Sequence, residues 1–318
     1  MFLSSPRSVC AIVVTYRCGR GVLPTLEALL PQVDRVIVID NGGDAETRKT
    51  VEGTASRSAT IETIFNPENL GIAGGLNVGV RRALELGTGW ILTMDHDSVP
   101  ASDMVARLLD AWKEHPGKDQ VAIVAPRHFD ARTGREGIYP IYGKGLRARH
   151  PAFGPQTAFL EPTEVISSGS LIRSRVFGDI GFFDERLFID SVDVDFCLRL
   201  ARAGYRILVP REATMKHELG KGTGESFAGI DMTVSNHPEV RRYYIVRNRL
   251  HLGIRYARSF PSYLTAGLAR TIMETIGVLL FERNRWRKMG ATVRGAVDGI
   301  AGRLGPRDLP AYPRDAAK

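Results

Sequence analysis

The chain has 318 residues, 43% hydrophobic and 25% charged, a balance that excludes a disordered or fibrous protein and accommodates one large α/β domain plus an appendage. Its net charge of +8 is unevenly placed: residues 236–318 hold 16 Lys and Arg against 6 Asp and Glu, a net of +10, leaving −2 for residues 1–235. A basic end of this kind suits an anionic membrane face or a diphosphate-bearing ligand, and without a nucleic-acid-binding motif no nucleic acid is expected.

Cys10, Cys18 and Cys197 are odd in number and lack Cys-x-x-Cys spacing, which predicts a reduced, cytoplasmic setting without a zinc knuckle. The first 20 residues have no basic and apolar regions of a signal peptide.

Residues 9–15, Val-Cys-Ala-Ile-Val-Val-Thr, form a continuous apolar run rich in β-branched side chains, as for a strand buried on both faces of a parallel sheet. A helix is predicted over 22–30, and further strands over 35–40, 60–65 and 90–94, with a helix over 71–86. This alternation predicts right-handed βαβ crossovers and a Rossmann-like, doubly wound, mostly parallel sheet, with its ligand site beyond the carboxyl ends of the strands. Thr15-Tyr16, Asp40-Asn41 and Asp95-His-Asp97 all leave strands at that edge.

Residues 128–156, rich in Gly, Pro, Tyr and Arg, read as loops and a hairpin shaping a cleft; 164–173 read as strand and turn, and 191–203 as a helix. A Gly- and Ser-rich loop is expected over 220–235. A basic helix follows over 238–248, then amphipathic helices broken at Pro261 and near Gly290. The most apolar part, 275–281, is far shorter than the roughly 20 residues of a spanning helix, so contact with a membrane would be peripheral.

Asp95-His-Asp97 has the spacing to bring one or both carboxylates to a divalent cation, a hard ion that prefers oxygen ligands and engages phosphates. Asp40 suits a hydrogen bond from a base imide or a ribose hydroxyl, or an Asx-turn with Asn41-Gly42. The run from Asn69 to Gly79 carries Gly74 and Gly75 into a helix, where they serve close backbone approach to a ligand or packing. Asp190, Asp193 and Asp195 crowd like charges at a helix mouth, which calls for a cation, the helix N-terminus or a proton-accepting role. Position alone does not choose between Asp193 and Asp195, since two residues on a helix differ by about 200° in direction.

Taken in order, Val14-Thr-Tyr16, Val38-Ile-Asp40-Asn41, Asn69-Leu-Gly-Ile-Ala-Gly-Gly-Leu-Asn77, Asp95-His-Asp97, Phe188-Ile-Asp-Ser-Val-Asp193 and Tyr243-Tyr-Ile-Val-Arg-Asn248 resemble the inverting GT-A glycosyltransferases of family 2, particularly their bacterial rhamnosyltransferase branch. The resemblance runs from about Val9 to Tyr256. It implies a GT-A catalytic domain over 1–235, with a nucleotide-sugar half over about 8–130 and an acceptor half over about 131–235, and a basic C-terminal helical extension over 236–318. The donor would be a nucleotide sugar, dTDP-L-rhamnose in this branch, and the acceptor a glycan or glycolipid in O-antigen, other polysaccharide or rhamnolipid synthesis.

By the same resemblance Thr15, Tyr16, Asp40, Asn69, Gly74, Asn77 and Asp95 lie at the donor, Arg247 contacts its diphosphate, and Asp97 with His217 holds Mg2+ or Mn2+. Asp193 is the base, because the family's base precedes an acidic residue, an aromatic and Leu-Arg, matching Asp195, Phe196, Leu198 and Arg199. A sugar nucleotidyltransferase would share the α/β fold, but no Gly-rich loop with Arg and Lys follows the first strand. Asp97, Asp193 and His217 together argue against a non-catalytic sugar-nucleotide-binding protein. The C-terminal helices are expected to meet the membrane or a second subunit in a homo-oligomer.

Overall fold

The computed structural model describes residues 8–217, 223–227, 230–234 and 236–307, by backbone alone over 223–227 and 230–234. In chain order the first part runs β1 (Val9–Thr15), α1 (Leu23–Leu29), β2 (Arg35–Asn41), α2 (Ala45–Ala55), β3 (Ile61–Asn66), α3 (Gly71–Glu85), β4 (Trp90–Asp95), β5 (Ser98–Pro100) and α4 (Met104–Glu114). It continues with β6 (Val121–Val124), β7 (Arg127–Asp130), β8 (Phe159–Leu160), β9 (Ser170–Arg173), α5 (Val176–Ile180), α6 (Val192–Arg202), β10 (Arg206–Pro210) and β11 (Thr214–His217). The remainder is β12 (Thr223–Phe227), β13 (Ile230–Val234), α7 (Glu239–Tyr256), α8 (Pro261–Phe281) and α9 (Arg285–Ile300).

Contacts divide the chain into two compact units, one of residues 1–141, 150–185 and 193–218, the other of 142–149, 186–192 and 219–318. The first is built on an eight-stranded sheet in the order β3-β2-β1-β4-β9-β6-β10-β8. Strands β3, β2, β1 and β4 are mutually parallel, β9 runs against both β4 and β6, and β10 is parallel to β6. Every residue of β1 is buried, which is why it reads as an unbroken apolar run rather than an alternating one. Helix α3 lies close on this sheet: a Cβ on Gly79 would stand 2.4 Å from Ile12 Cγ2, and one on Gly75 2.9 Å from Val14 Cγ1. The expected α/β fold with helices after the sheet is therefore present, as a mostly parallel mixed sheet flanked by helices.

A smaller sheet, β5-β11-β7, lies beyond the end of β4, with β11 antiparallel to β5 and parallel to β7. Its register sets His217 opposite Ser98.

The second unit holds α7, α8 and α9, and several expectations change there. The predicted loop over 220–235 contains a hairpin, β12 paired antiparallel with β13. The helix break falls at Asn284, in the left-handed conformation (φ 56°), while α9 continues through Gly290. The apolar stretch is also longer than 275–281: α8 spans 21 residues and is long and apolar enough to cross a membrane by length and composition. Its Thr265, Thr271 and Thr275 looked polar in sequence, yet their hydroxyls donate to carbonyls three or four residues back along the helix.

Helix α9 crosses α7 closely through small residues, since a Cβ on Gly295 would meet Tyr243 O at 2.5 Å and one on Gly299 would meet Arg247 O at 2.4 Å. Buried charges here are paired: Arg242 with Glu274 (3.2 Å) and Glu282 (3.5 Å), and Lys288 with Glu282 (2.7 Å). An isolated buried charge would be far more costly than these pairs.

Candidate active site

The parallel register aligns the strand exits: Thr15 is opposite Asp40, Val14 opposite Asp95, and Asp40 opposite Phe65. Beside them a cavity of about 360 Å3 is lined by Asp40, Gly42, Asp44, Arg48, Phe65 and Pro67. Arg48 lies over the Phe65 ring, 4.4 Å from its centroid, giving the cavity a flat cationic and aromatic wall. Asp40 is 4% exposed and accepts the Gly43 N–H at 3.0 Å. Burial raises its pKa, opposed by that hydrogen bond and by Arg48. Thr15 is fully buried, with its hydroxyl on Ile39 O (3.2 Å), and half-buried Tyr16 carries Arg17 5.1 Å from its ring centroid.

At the next strand end, Asp95, Asp97 and His217 each offer a ligand atom, all within 4.8 Å of one another. Three strands place them: Asp95 ends β4, Asp97 immediately precedes β5, and β5 pairs with β11, which ends at His217. A run of hydroxyls orients the group. The Asp95 N–H donates to Ser168 Oγ (3.1 Å), Ser168 donates to Ser98 Oγ (2.7 Å), and Ser98 Oγ lies 2.6 Å from His217 Nδ1.

Asp97 Oδ1 is 3.5 Å from that nitrogen, shielded from solvent and without a hydrogen-bond partner among the described residues. Leaving a carboxylate oxygen in that state costs a few kcal/mol unless a cation takes it up. Two carboxylates and an imidazole form an oxygen-rich, hard donor set, so these residues fit a divalent cation such as Mg2+ or Mn2+.

The three carboxylates near α6 separate by environment. Asp195 is completely buried and bonded to Arg199 (2.8 Å), which also donates to Ile180 O and Phe182 O. Asp193, in the first turn, is half-buried and accepts the Val194 N–H at 2.8 Å. Asp190 pairs with Arg241 (3.3 Å); burial raises its pKa, with Arg241 pulling the other way. Asp193 is thus more exposed than Asp195, which anchors the helix.

Other expected donor residues have internal partners. Asn77 is 1% exposed, donating to Phe183 O (2.9 Å) and Glu185 Oε1 (2.8 Å) and accepting the Phe183 N–H, while a Cβ on Gly74 would meet Leu70 Cβ at 2.6 Å. Exposed Asn69 accepts the Gly71 N–H (2.8 Å) and the Asn41 side-chain amide (3.1 Å).

Arg247 is fully buried. Its guanidinium donates to Asn248 Oδ1 (2.9 Å), Gly305 O (2.6 Å), Arg186 O (3.2 Å) and Leu187 O (3.0 Å). Asn248 adds bonds to the carbonyls of Leu187, Ile189 and Asp190, and Tyr244 stacks on Phe188. The Tyr-Tyr-x-x-Arg-Asn run therefore clasps the Phe188-Ile-Asp segment, where Phe188, Asp190 and Ser191 adopt left-handed conformations (φ 66°, 62° and 60°). In this arrangement the Arg247 donors are occupied by protein acceptors, in place of the diphosphate expected for them.

Sequence reasoning missed Ser168 and the Arg48–Phe65 wall. Ser168 lies 70 residues from Ser98 in the chain and carries no local signal, whereas Arg48 and Phe65 could have been sought one helix and one strand after Asp40.

Residues 10–181 match the family described as glycosyl transferase family 2. The chain is 28% identical over 306 residues to the dTDP-rhamnosyl transferase RfbF of Shigella flexneri, covering 94% of this chain and 97% of that protein. It is 29% identical to the galactofuranosyltransferase GlfT1 of Mycolicibacterium smegmatis, covering 77% and 82%. Among solved structures, the mannosyltransferase PcManGT of Pyrobaculum calidifontis in complex with GDP-Man and Mn2+ aligns over 93% of this chain and 87% of that one, at TM-score 0.57 and 15% identity. GalNAc-T7 with UDP, GalNAc and Mn2+ aligns at TM-score 0.56 and 12% identity over 83% of this chain, which spans only 54% of that longer chain. The family match over more than half the chain, on a fold shared with these structures, makes this protein a member of glycosyl transferase family 2.

Proposed function

We propose that this chain is an inverting, metal-assisted rhamnosyltransferase that moves L-rhamnose from dTDP-L-rhamnose to a hydroxyl of a bacterial glycolipid or polysaccharide precursor. The observation that carries the reading is the Asp95, Asp97 and His217 cluster beside the Asp40 cavity at one sheet edge. The similarity to RfbF over nearly the full length of both chains supports the choice of sugar and nucleotide. On this reading residues 1–235 carry the chemistry, and 236–318 form a basic helical extension.

Asp40 accepts from the base or ribose, with the Arg48–Phe65 wall beside it, and Thr15, Tyr16 and Asn69 border the donor. Asn77 contributes by tying α3 to Phe183 and Glu185, and Gly74 by making room for Leu70 at the start of α3. Asp95, Asp97 and His217 would hold Mg2+ or Mn2+, which when bound offsets the charge developing on the departing nucleoside diphosphate. Asp193 takes the proton of the acceptor hydroxyl as its oxygen attacks the anomeric carbon. The new carbon–oxygen bond forms as the bond to the diphosphate breaks on the opposite face, and the anomeric centre inverts. Arg247 acts indirectly, by holding the Phe188-Ile-Asp segment that leads into the Asp193 helix.

A second donor is favoured by one observation, the similarity to a galactofuranosyltransferase over 77% of the chain. A screen of sugar nucleotides for hydrolysis and transfer, with and without Mn2+ or Mg2+, tests both. dTDP-L-rhamnose should be turned over in a chelator-sensitive reaction, and preference for another sugar nucleotide would replace the donor assignment. Asp193→Asn should abolish transfer while retaining donor binding, and an active variant would remove the base assignment.

A further inference from the structure

Helices α8 and α9 carry apolar side chains to solvent in two stripes. On α8 these are Leu268, Ile272, Met273, Ile276 and Leu280, between 38% and 59% exposed. At steps of four, one, three and four residues they fall within one side of the helix, about 140° wide at 100° per residue. On α9 they are Val293, Val297 and Ile300, with Trp286 at its first turn 74% exposed.

The charges of the same two helices are sorted by sign. Every carboxylate between residues 261 and 300 is turned to a partner: Glu274 to Arg242 and Arg249, Glu282 to Arg242 and Lys288, and Asp298 to the Tyr243 hydroxyl. The charged residues exposed over this stretch are Arg270, Arg283, Arg285, Arg287 and Arg294, with no acidic residue among them. Lys288 is buried against Glu282. Arg283, Arg285 and Arg287 flank Trp286 at the turn between the helices, and Leu280 lies one turn before them.

From this sorting we infer that the exposed face of α8 and α9 seats on an anionic lipid bilayer, with the apolar stripes at the acyl boundary and the arginines around Trp286 among the headgroups. Interfacial tryptophan, arginine and a one-sided apolar stripe are the composition of a helix lying in the membrane plane. A second copy of this chain is disfavoured, because a symmetric contact would set like-charged arginines against each other with no exposed carboxylate to meet them. Although α8 has the length to span, its central Glu274 is tied to Arg242 and Arg249 of α7, a helix rich in arginine, so insertion would drag those charges into hydrocarbon or break the pairs. The surface is independent of which sugar the enzyme transfers.

The test uses the full chain with sedimented vesicles of phosphatidylcholine, alone or with a third phosphatidylglycerol. Binding is expected to the anionic vesicles at low salt, with a blue shift of tryptophan emission from Trp286, and to be released by high salt or carbonate. An arginine near an anionic surface is worth about a fivefold partition, so R283A/R285A/R287A should weaken binding on the order of 100-fold. Trp286→Ser with Leu280→Ser should abolish the emission shift while leaving thermal stability unchanged, as both sites are exposed.

The inference is overturned by a wild-type protein that stays in the supernatant, by equal binding to neutral vesicles, or by resistance to carbonate, which would mean a spanning helix. It is also overturned if the two serine substitutions dissociate a dimer while vesicle binding is absent from the wild type. Sugar-nucleotide turnover measured without lipid fails or succeeds separately, so loss of the donor reading would be distinguishable.

Discussion

Arg247→Lys separates two roles for one arginine. The substitution keeps the charge and loses the fork that reaches the carbonyls of Arg186, Leu187 and Gly305 as well as Asn248 Oδ1. Arg186 O keeps the Gly305 N–H and Leu187 O keeps the Asn248 amide, so the loss falls on Gly305 O and Asn248 Oδ1, and a lysine ammonium that meets at most one of them leaves one or two buried oxygens unpaired at about 1–3 kcal/mol each. A loss of about 2 kcal/mol follows, which at roughly 2–4 °C per kcal/mol lowers the melting temperature by about 4–8 °C. Thermal unfolding by circular dichroism reads that fall, and donor KM measured at a temperature where both proteins remain folded should change less than about threefold. An unchanged melting temperature with a donor KM raised tenfold or more would refute the clasp and restore the diphosphate contact.

The neighbouring carboxylates should respond differently to the same change. Asp195→Asn, which leaves Arg199 without its buried partner, should cost about 3–5 kcal/mol in a denaturant titration, whereas Asp193→Asn should unfold as the wild type does. Gly79→Ala, which presses a Cβ to 2.4 Å from Ile12 Cγ2 where α3 meets β1, should lose about 1–3 kcal/mol by the same titration. Burial, reinforced by the charges of Arg241 and Arg242, holds the His237 pKa down at about 4, below the ordinary 6.5. The unfolded chain takes a proton on this imidazole as pH drops below 6.5 while the folded chain does not until about 4, so stability should decline across that window. His237→Gln should remove about 1–2 kcal/mol of the decline, with its partial exposure allowed for, and parallel stability profiles for the two proteins would count against it.

Much of the sheet was legible because its signal is local. A strand buried on both faces must be apolar through its body, and 9–14, 36–39 and 90–92 satisfy that without reference to anything distant. Polar residues at the ends of such strands stand out, so Asp40, Asp95 and Asp97 could be named before any contact was known. The helix boundaries of the C-terminal unit were less legible. Threonine hydroxyls satisfied along α8 hide its length, and the break at Asn284 depends on a backbone conformation rather than on the nearby glycine.

The sequence by itself determined the alternation of buried strands and helices and the set of carboxylates at their ends, since both follow from periodicity and from the cost of unpaired charge. Which side chains share a space was decided by tertiary structure. Strand pairing between β5 and β11 brought His217 to Ser98 and Asp97 across more than a hundred residues. Burial divided Asp193 from Asp195, which are chemically identical and two residues apart. The clasp of Arg247 and Asn248 on Phe188-Ile-Asp likewise joins two runs that read as independent motifs, because hydrogen bonds to distant carbonyls leave no periodicity in a sequence.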